Sequence, residues 1–167
     1  MVDIGTLGLS TTVWAASVYL QRLIMPDGTV SWTAYDDAGI VPEVREFVLY
    51  LEARHYAPST VHHYARHVVR LGNYLNGFGK NFAHLTPLDL DRFIPLVVKY
   101  GKKFDATSAA NIIPIRIEHI EVSNSLYNQI LFTIKVFYEF LNMRHATAVF
   151  DQEIPANYSP DTYKPFL

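Results

Sequence analysis

The sequence predicts a mainly α-helical protein, a bundle of four to five helices with a short N-terminal β-hairpin arm. Three observations carry that expectation. Apolar residues recur at helical spacing in four segments between residues 42 and 145. A proline or a capping residue opens each segment. Two β-rich runs near the N-terminus flank a Pro26-Asp27-Gly28 turn sequence. The chain has 167 residues, half of them hydrophobic and 14% aromatic, which suffices for one cored domain plus an arm. The expected divisions are an arm over 1–40, a helical domain over 41–146 and a linker-like tail over 147–167.

The hairpin is expected between Val13 and Tyr35, with a break at Asp36 to Gly39. Helix one should start at Pro42, bury Val44, Phe47, Val48 and Leu51, and end around His55. Helix two should be capped at Ala57 or Ser59 and run to about Leu75, where Asn76-Gly77-Phe78-Gly79 stops it. Its buried stripe is Val61, Ala65, Val68, Leu71, Tyr74 and Leu75; His62, His63, Arg66, His67 and Arg70 fall largely on the other side. Helix three has the clearest start, with Thr86 as N-cap, Pro87 in the first turn and Asp89 placed to complete a capping box. Gly101 should end it. The run Ile112 to Val122 reads as a strand or an extended connection, and Pro114 argues against a central strand. Helix four should be capped by Ser123 or Asn124 and bury a wide stripe from Leu126 to Leu141, as the central helix of a bundle does. Pro155, Pro160 and Pro165 make the tail irregular.

The charge is distributed unevenly. Residues 1–53 carry seven acids and two bases. Residues 54–88 carry four bases (Arg54, Arg66, Arg70, Lys80), five of the seven histidines and no acid. Residues 89–167 carry nine acids and eight bases, so a net charge of -2 conceals a local basic zone. A helix with one apolar and one basic face suits a phosphate backbone. The pI near 6.4 favours a rival reading, a helical protein-interaction or regulatory module with no nucleic-acid role. Absence of cysteine excludes disulfides and thiolate metal sites and agrees with a cytoplasmic setting. The N-terminus lacks a basic n-region and carries Asp3, which argues against a secretion signal. No run approaches the ~18 apolar residues of a membrane span, so no membrane partner is expected.

Chemistry-bearing motifs are sparse. His63 to Arg66 and His67 to Arg70 both spell His-x-x-Arg, but both sit on one helix without other catalytic groups. His63 and His67 have a chelating spacing, yet Tyr64 stands where a zinc protease would carry glutamate and no third ligand is evident. The expectation is therefore no metal, no cofactor and no catalytic site. Ser59 and Thr60 can cap helix two or bind phosphate at its positive end. Lys102 and Lys103 on a loop, and Asn124 and Asn128 on helix four, complete the candidate nucleic-acid contacts with Arg54, His62, His63, Arg66, His67 and Arg70.

Three segments resemble the SAM-like core-binding domain of tyrosine recombinases, the phage-type integrases. They are Phe47 to Thr60 followed by Tyr64, Leu71 and Leu75; Leu85 to Phe93; and Ser123 to Leu141 with its aromatic pair before leucine. The resemblance spans about residues 42–145 and departs at Lys102–Val122, which exceeds a minimal family connection. It implies duplex DNA as partner, sequence-tolerant clamping of one DNA face, and further protomers in a tetramer on DNA. The family's catalytic Arg, Lys, His-x-x-Arg and Tyr belong to a separate domain that does not follow Ala146, so a DNA-binding part of a recombinase is expected, not a working enzyme. Histidines facing phosphate should gain protons on binding, raising affinity between about pH 7.5 and 6.

Overall fold

The computed structural model describes residues 17–105 and 120–145. The expectations for the N-terminal start, the stretch through Pro114 and the proline-rich tail lie outside them. Strands β1 (Tyr19–Ile24) and β2 (Val30–Asp36) pair antiparallel, with Tyr19 opposite Tyr35 and Ile24 opposite Val30. The turn is closed by the Gly28 N–H donating to the Met25 carbonyl at 2.8 Å, with Gly28 at φ +85°, a backbone region that disfavours side chains. Asp27 accepts from both the N–H and the hydroxyl of Thr29. The expected break at Asp36 to Gly39 is a second tight turn into a short strand β3 (Gly39–Ile40). The arm is therefore a three-stranded antiparallel sheet rather than a plain hairpin.

Four helices follow among the described residues: α1 (Pro42–Ala53), α2 (Pro58–Gly77), α3 (Pro87–Tyr100) and α4 (Asn124–His145). Proline opens the first three, where its missing N–H costs no helical hydrogen bond. Thr86 and Asp89 form the reciprocal capping box at α3. The Ser123 hydroxyl accepts from the Leu126 N–H at 3.2 Å, capping α4. Helix α1 stops at Ala53, and His55 at φ +61° turns the chain into α2. Two short 3₁₀ turns, Phe82–His84 and Gly101–Phe104, have no signal in the apolar periodicity.

The core forms where α4 meets α1, α2 and α3. Ile130, Leu131, Ile134, Phe137, Tyr138 and Leu141 of α4 are buried against Phe47, Leu71, Leu75 and Phe93. Phe137 makes edge contacts with Phe47 at 5.1 Å and with Phe82 at 4.8 Å between ring centres. Each such side chain contributes roughly 1.5–3 kcal/mol by leaving water. The arm is fixed to this core by Asn73, which is fully buried on α2. Its Oδ1 accepts from the Val18 N–H at 2.9 Å, and its Nδ2 donates to the carbonyls of Val18 and Phe104 at 3.1 and 2.7 Å. Among the described residues no helix is long and apolar enough to cross a membrane.

Candidate nucleic-acid interface

Helix α2 divides its polar residues between solvent and core. His63 is exposed, and His62, Arg66 and Arg70 are half-buried. His67, expected on the polar side, is 5% exposed and belongs to the buried set. Position 67 lies between the buried Ala65 and Val68–Val69, on the flank that neighbouring elements cover. Burial, and then the nearby His63, Arg70 and Arg66, lower its pKa to about 3, so it stays neutral at ordinary pH. The expectation that it gains a proton against phosphate is corrected: protonation there opposes folding. Burial also lowers the pKa of His62 and His63, reinforced in both by the charge of Arg66.

Two of the four bases in the acid-free stretch are already paired. Arg70 Nε donates to Asp105 Oδ1 at 2.6 Å and Nη2 to Oδ2 at 3.2 Å, and the arginine side chain is only 11% exposed. Lys80 donates to both carboxylate oxygens of Asp89 at 3.1 Å. Neither Arg70 nor Lys80 is presented as a bare charge, because folding brings acids from outside the stretch. Arg54 is exposed at the end of α1 with its guanidinium 3.9 Å over the Tyr50 ring. Arg66 Nη2 lies 3.4 Å from His62 Nε2.

The arm enters the same face, which the sequence did not reveal. The Trp32 ring stacks on His62 with centres 3.9 Å apart and planes 14° from parallel. Arg22 stands directly opposite Trp32 across the β ladder, hence on the same sheet face, and is exposed. Arg22, Trp32, His62 and Arg66 thus form a mixed cationic and aromatic strip from β1 across β2 to α2. Strand alternation pairs 22 with 32 only once the register is known.

Ser59 and Thr60 stand in the first turn of α2 without capping it. Ala57 is the N-cap, and no side chain accepts from the helix N-terminus. The two hydroxyl residues line a cleft of about 390 Å³ with His63 and Tyr64 of α2 and Gln129, Phe132 and Thr133 of α4. Gln129 and Thr133 escape sequence reasoning because the α4 pattern reads as packing; Thr133 donates its hydroxyl to the Gln129 carbonyl. Asn124 and Asn128 lie in the first turns of α4, apart from the residues that line this cleft. Lys102 and Lys103 are exposed on the second 3₁₀ turn, beside the Arg70–Asp105 pair, and Lys103 sits 5.4 Å over the Tyr100 ring. Among the described residues no three His, Asp or Glu side chains gather as a metal cluster.

The chain matches no protein-family model, no curated protein and no solved structure.

Proposed function

We propose that this chain binds duplex DNA, as the DNA-binding part of a tyrosine-recombinase-type protein whose chemistry resides elsewhere. The observation that carries the reading is the strip of Arg22, Trp32, His62 and Arg66, in which an exposed arginine on β1 and a half-buried arginine on α2 bracket a Trp–His stack. Cations along a helix and an adjoining strand can follow a phosphate backbone. The four-helix topology with a capped α3 and an aromatic α4 agrees with the resemblance in the sequence. In that setting further protomers on the same DNA are the second class of partner.

The test is fluorescence anisotropy with a short random-sequence duplex, titrated across about 50–300 mM salt. Contacts to about three phosphates give a log–log slope near -3. No binding at the lowest salt, or binding indifferent to salt, overturns the reading. A second reading rests on Tyr19, Tyr35 and Ile40, which form one exposed apolar row across the three strands. That row favours a protein partner for the arm, and duplex-independent association is its signature.

A further inference from the structure

We propose that His63 and His67 form a two-histidine site for a borderline transition-metal ion of the zinc, nickel or copper class, at the flank of α2 beside the cleft against α4. The two rings stand one helical turn apart with their Nε2 atoms 3.1 Å from each other. The ring centres are 4.5 Å apart and the planes lie at 88°. A straight N–H···N bridge of that length would hold the centres roughly 5.3 Å apart, so the nitrogens meet at a bend. An ion about 2.0–2.1 Å from each nitrogen would subtend about 100°, between the tetrahedral angle and the right angle of square-planar or octahedral sites.

The surroundings leave that corner usable. Among the described residues Nδ1 of His67 has no hydrogen-bond partner, while its Nε2 shares one proton with His63 Nε2; a bound ion would replace that proton and leave the remaining one of His67 on Nδ1. A ring free to take either tautomer can offer Nε2 as a lone pair. His63 lines the 390 Å³ cleft, whose other walls are the hydroxyl residues Ser59 and Thr60, Tyr64, and Gln129, Phe132 and Thr133 of α4. The cleft opens on the His63 side of the pair, and water ligands can approach an ion from there. Among the described residues no lysine or arginine lines the cleft. Of the two guanidiniums near the pair, Arg70 is neutralised by Asp105 and Arg66 is directed to His62. Among the described residues no carboxylate joins the pair, which makes the site a weak chelate suited to imidazole-preferring metals and not to magnesium or calcium.

The experiment titrates Ni²⁺ and Zn²⁺ into the full chain by isothermal calorimetry. His63→Ala removes an exposed ligand and with it the hydrogen-bond partner of the buried His67, so its folding is checked by thermal melting before titration, and His62→Ala serves as the adjacent control. The proposal requires one equivalent bound, a loss of at least about tenfold in affinity for His63→Ala, and a change under about twofold for His62→Ala. The ring-proton NMR signals of His67 must also shift on metal addition. Absence of binding, binding that survives His63→Ala, or an unmoved His67 signal overturns it. None of these outcomes depends on whether the protein binds DNA.

Discussion

Arg66 and Arg70 stand one helical turn apart on α2, yet their surroundings are opposite. Arg66 lies on the half of the helix that faces the arm and solvent, where it meets a stacked histidine. Arg70 lies on the half that the 3₁₀ turn after α3 covers, and Asp105 holds it in two hydrogen bonds. Apart from His67, which is buried near the midpoint, the same division runs through other polar residues of the helix. His62 and His63 remain accessible in the first half, whereas Asn73 in the second is fully buried and bonded to two other segments. One half of the helix is largely a surface and the other a fastening, and substitutions on and around it test where the boundary falls.

The largest effect is expected from Asn73→Ala. It leaves the N–H and carbonyl of Val18 and the carbonyl of Phe104 without their partner in a dry interior. Urea denaturation should show a loss of about 3–5 kcal/mol, and Asn128→Ala on α4 a change within about 0.5 kcal/mol. Equal effects from the two would erase the distinction between fastening and surface.

Next is the pH response of His67, whose folded pKa is depressed to about 3. Above about pH 6.5 the ring is neutral folded and unfolded, and stability is fully present. As pH falls from 6.5 toward 3 the unfolded chain takes the proton and the fold does not. Stability should then decline by about 1.4 kcal/mol per pH unit from this residue. The lowered values of His62 and His63 act in the same direction. In His67→Leu the decline between pH 6.5 and 4.5 should be visibly flatter; an unchanged slope would mean His67 is not the buried titrating group.

These two residues also show what is legible in the sequence. Helix positions are readable because Pro42, Pro58 and the Thr86–Asp89 box act locally, and apolar spacing fixes which side turns inward. The polar side reads as one surface because periodicity reports an angle around the axis and not what packs on it. Val18, Phe104 and Asp105 come from 55, 31 and 35 residues away, and nothing near Asn73 or Arg70 announces them. The acid-free stretch is real along the chain and only partly real in space, because Asp89 and Asp105 fold onto Lys80 and Arg70. The short third strand stays hidden because two residues carry no period.

Asp105→Asn joins both halves in one measurement. It removes the carboxylate charge while keeping the side-chain shape, and leaves a guanidinium that is mostly buried. Since Asp105 is itself 42% exposed, the loss should be about 1–2 kcal/mol, below that of a fully buried pair. If α2 binds a duplex, the same change releases a positive charge toward it. Affinity should rise roughly fivefold at low salt, with a steeper salt slope by up to about 0.9. Lower stability without tighter binding would place the Arg70 end of the helix away from the DNA.

The smallest change in stability should come from Arg66→Ala, and that is its value. Arg66 is half-buried, and its approach to His62 is long at 3.4 Å, so truncation should move stability by less than about 0.5 kcal/mol. His62 keeps its stack on Trp32, which holds the arm side of the strip in place. If Arg66 touches phosphate, its truncation should weaken every duplex by roughly 5–10-fold, independent of sequence, and make the salt slope shallower by about 0.9. Truncating Arg70 in the same experiment would mix that effect with an orphaned Asp105, whereas Arg66 alone separates binding from folding. Unchanged duplex affinity in a fully folded Arg66→Ala protein removes the exposed half of α2 from the interface, and the tyrosine row of the arm then becomes the surface to pursue.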